Sequence, residues 1–358
     1  MASDDLGQDP GRAAPEAMKT GSAASEARVG QQLGPVDRKT RVSVPETAAL
    51  FAVLIVLFVF FSLSSPFFLN DKNIIIILQQ SAMIGMIAAP ATLLMIAAQF
   101  DLSVGSIAGF TGMLLAILAA PAGSREYAMG LPVELAALIA LGGALLVGVI
   151  NGVSVTVFRI NALITTLGTL AIFRGLTRVM GGGQTVRVDG FGFLGFERPL
   201  GIPLAIWIFA IVTIAFWLLL RYTTYGRSMY AIGSSPTAAR LAGIRTSRAI
   251  FVGFIISAAL AGFAGLILLS QVGVASNTAG ETLMLAVITA VVLGGASLSG
   301  GRGSIVGTVL AVLIVGVLRN GLVQIGVQSF WIEVATGVLL LVAVGADQLR
   351  IRLTQAQN

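Results

Sequence analysis

Asp101, in the stretch QFDLSVGS (99–106), is the acid set most deeply between long apolar runs. A carboxylate inside a membrane is costly, and by default it marks a position that handles an ion or a substrate. At the membrane edge the same carboxylate would cap the helix that follows it, with Ser103 helping. Both readings stand on the sequence, because a helix starting at Asn73 extends roughly 37–40 Å before reaching Asp101, beyond a hydrocarbon core of about 30 Å. Asn151, Asn161, Thr165, Thr166 and Gln271 add amides and hydroxyls within or beside other apolar runs. These groups suit an uncharged polar solute, although each is more readily a bond to a neighbouring helix.

What is missing narrows the chemistry further. The chain has no His and no Cys, which removes thiol catalysis, zinc and haem sites and every His-based triad. Lys19, Lys39 and Lys72 are its only lysines, and none follows a glycine-rich loop. A phosphate loop needs that lysine, so ATP-driven work would need a separate polypeptide. No cofactor or metal is expected, and the chain is not expected to be an enzyme. The net charge of +6 lies between apolar runs rather than in a block, as membrane topology predicts and nucleic-acid binding does not.

The elements that must position these residues are helices in lipid. Charged residues make up 11% of 358, against about 25% in a soluble domain. Residues 1–45 are rich in Ala, Gly, Pro, Ser and charge, and are expected to be a disordered cytoplasmic tail. Residues 46–348 form the membrane domain, and 349–358 a short cytoplasmic tail. Apolar runs at 47–64, 130–157, 200–220, 249–271 and 330–346 each suffice for a span. The run 73–120 divides in two at QFDLSVGS, the region 282–320 divides at GGASLSGGRGS, and 161–180 is the weakest candidate. The fold class is therefore all-α and polytopic, with about ten transmembrane helices. Arg38, Lys39 and Arg41 precede the first span, Arg350 and Arg352 follow the last, and the loop 221–248 carries five arginines and no acid. All three sites ask for the cytoplasm, with even numbers of spans between them. The loop 181–199 then falls outside. Arg174 and Arg178, one turn apart, are expected to reach to the interface, and Glu281 and Glu333 to face a binding protein or water at the outer ends.

Within the cytoplasmic loop, GRSMYAIGSSPTAARLAGI (226–244) reads as a capped helix. Ser234 or Ser235 supplies the cap, Pro236 suits the first helical position and Gly243 the left-handed stop. About seven residues cannot hold a helix alone in water, so it must dock on something. Ala238, Leu241 and Ala242 form its small apolar face. Either that face packs on the chain's own span ends, or it is offered to a partner. A fainter signal is the echo between DLSVGSIAG and SLSGGRGSIVG, since paired interruptions in the two halves of a transporter point toward its path.

These stretches resemble a known family. GRSMYAIGSSPTAARLAGI resembles the coupling region of permease subunits of ribose-type sugar ABC importers, FDLSVGSIAGFTG resembles that family's Gly-Ile-Asp-Leu-Ser-Val-Gly-Ser stretch, and AVVLGGASLSGGRGSIVG resembles its Gly-Gly-(Thr/Ala)-Ser-Leu-x-Gly-Gly region. The likeness runs from about Asn73 to Asp347. It implies a fold like that of vitamin B12-type (type II) importer permeases, working as a pair in the bacterial inner membrane with both termini cytoplasmic. It further implies a cytoplasmic ATP-binding subunit and an extracytoplasmic sugar-binding protein as partners. Coupling residues by this resemblance are Arg227, Gly233, Ser235, Ala239, Arg240, Leu241 and Gly243. The translocation path would draw on Asp101, Ser103, Asn151, Asn161, Thr165, Gly294 and Ser297. Two departures bear on cargo: Ala98-Gln99-Phe100 stands where relatives commonly read Gly-Gly-Ile, and Met284-Leu285-Ala286 where they often carry an acidic pair. An ion-coupled secondary carrier and an ABC permease for branched-chain amino acids are the alternatives.

Overall fold

The computed structural model describes residues 46–355; the tail expected over 1–45 and the basic residues Arg38, Lys39 and Arg41 lie outside them. Thirteen helices occupy the described residues. In chain order they are α1 (Glu46–Ser64), α2 (Asp71–Ile96), α3 (Val104–Ala119), α4 (Val133–Thr156), α5 (Ala162–Gly181), α6 (Phe193–Phe196), α7 (Leu204–Tyr222), α8 (Thr224–Ser234), α9 (Pro236–Leu241), α10 (Thr246–Val272), α11 (Glu281–Leu293), α12 (Ile305–Gln324) and α13 (Ser329–Gln355). Seven of them are long and apolar enough to cross a membrane, and the apolar stretches Val104–Ala119, Glu281–Leu293 and Ser329–Gly345 are shorter. The weakest candidate, 161–180, is a continuous helix with Asn161 as its cap. The last helix does not stop at 348 but runs through Gln355, over most of the expected C-terminal tail.

Two layers follow from burial. In α2, α10 and α12, 61% of the most apolar window is buried, against 11% in α1 and 22–28% in α4, α5 and α7. The first three thus form a protein-covered centre, and the others turn Leu, Ile, Val and Phe outward as lipid-facing helices do. Hydrophobicity cannot drive association between helices in lipid, so close packing and hydrogen bonds must. Gly265 of α10 shows how: a Cβ there would overlap the Ala108 backbone of α3. Across α2 and α12, the Thr92 and Thr308 hydroxyls bond at 2.8 Å, and Asn73 Oδ1 accepts from Asn320 Nδ2 (3.0 Å) and Gln324 Nε2 (2.7 Å).

Two internal helices, α3 and α11, are short. At about 1.5 Å per residue, α3 reaches about 24 Å and α11 about 20 Å, less than a hydrocarbon core. Their missing length is made up by irregular backbone at 97–103 and 294–304, and such backbone is tolerated only where protein covers it. On the opposite side, β1 (Val186–Arg187) pairs antiparallel with β2 (Val274–Ala275), tying the loop before α7 to the end of α10. That pairing had no counterpart in the sequence reading.

Candidate functional site

Asp101 lies in the irregular turn between α2 and α3, buried with both carboxylate oxygens occupied. Oδ1 accepts from the Ser103 hydroxyl (2.5 Å) and the Ser103 backbone N–H (3.0 Å). Oδ2 accepts from the Ser257 hydroxyl of α10 (2.8 Å), and Asn151 Nδ2 of α4 donates to Ser103 Oγ (2.9 Å). One buried network therefore ties the start of α3 to α4 and α10. The sequence grouped Asp101, Ser103 and Asn151 and missed Ser257, a lone hydroxyl inside the apolar run of α10.

The other expected path residues are placed differently. Thr165 is buried in α5 with its hydroxyl unpartnered, while its neighbour Thr166 donates to the Phe100 carbonyl (3.3 Å). Asn161 is exposed and caps α5, accepting from the Leu163 N–H at 2.8 Å. Gly294 closes the α11–α12 corner, where a Cβ would strike the Gly307–Thr308 backbone. Ser297 is buried in the same turn, where its N–H donates to the Arg302 carbonyl (3.0 Å) and its hydroxyl accepts from the Ser299 N–H (3.3 Å).

The cytoplasmic-loop stretch folds into two helices rather than a loop and one helix. Thr223 caps α8, accepting from the Gly226 N–H (3.1 Å), and Ser235 caps α9, accepting from the Ala238 N–H (3.2 Å). Gly243 takes φ +81° directly after α9, the left-handed stop that glycine adopts most readily. Of the two caps proposed from sequence, Ser235 is the one used. The face of Ala238, Leu241 and Ala242 does not fold back on the chain: all three are exposed, Leu241 at 86%. Arg227 and Arg240 are exposed as well, Arg240 Nη2 donating to Thr237 Oγ1 at 3.2 Å.

Two expected contact residues point inward instead. Ala239 is 3% exposed and packs among Met229, Ile232 and Ile244, so it anchors α9 and is not part of its free face. Gly233 sits where a Cβ would coincide with the Ile96 carbonyl and crowd the Gly301 N–H. Those two groups bond each other, Gly301 N to Ile96 O at 2.8 Å, and Tyr230 of α8 donates from its hydroxyl to the Gly303 carbonyl (2.8 Å). Ala98 (φ +56°) and Gly300 (φ +82°) complete the contact, since a Cβ on Gly300 would meet both Ala98 and Gly233. The end of α8, the turn after α2 and the turn before α12 thus form one junction.

At the far ends of the helices, Arg174 Nε and Arg178 Nη2 of α5 both bond Glu281 Oε1 of α11, at 2.9 and 3.0 Å. The sequence placed all three at the outer ends without pairing them, and the structure joins them in this three-residue bridge. It was invisible in sequence because its partners lie more than a hundred positions apart.

Comparison with known proteins fits this geometry. The family model described as "Branched-chain amino acid transport system / permease component" matches residues 73–344. The ribose import permease protein RbsC of Escherichia coli (strain K12) is 38% identical over 314 residues, covering 86% of this chain and 95% of the relative. RbsC of Bacillus subtilis (strain 168) is 38% identical over 302 residues (83% and 91%), and the L-arabinose ABC transporter permease protein AraH of Azospirillum brasilense is 34% identical over 305 (85% and 88%). No solved structure matches the chain.

Proposed function

Because this chain belongs to the permease-component family of branched-chain amino acid transport systems, we propose that it is the membrane-spanning subunit of an ATP-driven monosaccharide importer. The observation that carries the coupling half is α9, a capped helix whose apolar face stands exposed while Ala239 anchors it beside α8, whose Gly233 locks onto the turns after α2 and before α12. The choice of cargo rests on the ribose and arabinose permeases it resembles. A cytoplasmic ATP-binding subunit takes α9 in a groove, an extracytoplasmic binding protein delivers the sugar, and a second copy of the chain completes the path within the lipid.

In this reading, nucleotide-driven closure of the ATPase pushes α9 as a short rigid piece. Ala239 passes the push to α8, and Gly233 passes it to Ile96 and Gly301, the ends of the two irregular turns. Both turns join central helices, so a small displacement there tilts α2 and α12 together. The Asp101 network holds the neighbouring ends of α3, α4 and α10 in register while this happens. An ion-coupled carrier would want a carboxylate free to exchange its ion; Asp101 has both oxygens engaged.

The test is to purify the tagged chain in mild detergent, co-expressed with its neighbouring transport genes, and to reconstitute the complex. A subunit with a phosphate loop is expected to co-purify, and labelled D-ribose or L-arabinose to accumulate when ATP is supplied. Accumulation of labelled L-leucine instead would replace the sugar reading, and solute movement by the chain alone on an ion gradient would replace the importer reading.

Orientation has its own test. The arginine-rich loop 221–248 asks for the cytoplasm, which places the 182–203 segment outside. The chain has no cysteine, so a single Asp189→Cys, at an exposed position beside Gly190 (φ +83°), provides a clean label site. It is expected to react with an impermeant maleimide on intact spheroplasts. Protection until the membrane is opened would overturn the topology.

A further inference from the structure

We infer that a cleft at the ends of α2, α10, α11, α12 and α13 remote from α9 is a contact site for an uncharged polyhydroxylated ligand, with Arg319, Glu333 and Gln271 as its recognition groups. The inference rests on the sugar-importer reading and locates where on this chain the cargo is held.

The cleft encloses about 430 Å³ and is lined on its polar side by Gln80, Gln271, Thr282, Arg319 and Glu333. That volume lies within the roughly 300–1,000 Å³ typical of small-molecule sites. An adjoining cleft of about 250 Å³ shares Thr282, Arg319 and Glu333 and leads to the Arg174–Glu281 pair. Five helices therefore contribute to one polar recess, and none of the sequence motifs marked it.

Three features make the recess a site rather than a gap. Gln271 Nε2 is buried and has no hydrogen-bond partner, a donor that folding has removed from water without satisfying. Arg319 and Glu333 lie close enough to attract each other but make no salt bridge among the described residues, whereas Arg174 and Arg178 nearby both bond Glu281. The register of Arg319 is also fixed, because the next residue, Asn320, bonds Asn73 of α2, and Gly316 packs against Ser81. Arg319 lies five residues before the end of α12, about 8 Å along the helix, so it is set below the rim.

The chemistry favours a sugar over an ion. A guanidinium presents paired donors at a fixed spacing that matches adjacent hydroxyls, a carboxylate accepts from others, and the orphaned amide supplies one more donor. The positive and negative groups offset each other, so an ionic ligand would leave one of them opposed. Leu268, Ile84 and Leu283 give the apolar wall against which the C–H face of a sugar ring would lie.

The experiment uses the complete transporter in proteoliposomes, with labelled D-ribose and L-arabinose as probes, and reads sugar moved per ATP hydrolysed. Arg319→Gln is expected to lower that ratio about tenfold or more, the size of losing a charge-assisted bond to substrate, and Gln271→Leu, which removes a neutral donor, to lower it several-fold. Arg187→Gln, in the exposed loop pair with Asp189, should leave it unchanged. Parent-like ratios in both cleft variants would overturn the site while leaving the importer intact. Sugar uptake and ATP hydrolysis falling in step, at an unchanged ratio, would overturn it too, by showing a structural role. A parent that moves neither sugar would overturn the importer reading and the site with it.

Discussion

Gly233→Val is expected to leave the chain inserted and assembled but to cut transport by an order of magnitude or more while ATP hydrolysis persists. The side chain would have to occupy space already filled by the Ile96 carbonyl and the Gly301 N–H. Both obstacles are backbone, so no rotamer change relieves the overlap; α8 must move away from the two turns. Overpacking of this kind costs about 1–3 kcal/mol, and the 2.8 Å bond between Gly301 and Ile96 is put at risk as well. That is too little to unfold a membrane domain of this size but enough to shift a two-state equilibrium by about 5- to 150-fold. Gly233→Ala should act in the same direction and more weakly, since the Cβ alone already collides. Uptake and ATP hydrolysis are measured together in proteoliposomes. Parent-like coupling in Gly233→Val would show that motion reaches the central helices by another route.

That junction also shows how far the sequence could be read. The apolar runs located the seven helices long and apolar enough to cross a membrane, because about twenty apolar residues in a row admit few other interpretations, and they also marked the three shorter apolar helices. The cap, proline and stop of α9 were legible for the same reason: each acts within four residues of its position. Helix α8 was not. Its sequence TYGRSMYAIGS has two glycines and few strong helix formers, and it reads as loop. It is helical because of distant partners: the Tyr225 hydroxyl bonds the Ala249 carbonyl (2.9 Å), and Gly226 packs against the Leu219–Leu220 backbone. Rotation about a short helix was equally hidden. Ala238 and Ala239 are chemically identical, and only tertiary packing decides that Ala239 goes in and Ala238 out. The capping role of Asn161 was not read, because a helix cap and a path residue look alike in one dimension. Ser257 and the Glu281 bridge were missed because each joins positions more than a hundred residues apart.

The exposed face of α9 gives the second large effect. Leu241 is 86% exposed in this chain, so replacing it changes few contacts within the fold. In the importer reading, this leucine on a capped helix, with Ala238 and Ala242 beside it, is the apolar face that enters the ATPase groove. Burying a leucine there contributes about 1.5–3 kcal/mol. A carboxylate at the same place loses that and adds the cost of an unpaired charge in an apolar pocket. Leu241→Glu is therefore expected to insert and fold as the parent does, yet to weaken association with the ATPase subunit at least a hundredfold and abolish transport. Arg240→Ala should cost far less, because exposed ion pairs are worth about 0.2–1 kcal/mol. This order separates shape from charge as the basis of docking. Co-purification and ATP-driven uptake of the two variants, measured beside the parent, decide it. If Leu241→Glu holds its ATPase at parent stoichiometry, α9 is not the helix in the groove. If Arg240→Ala loses it more completely than Leu241→Glu, the contact is electrostatic, and the apolar face of α9 must have another occupant.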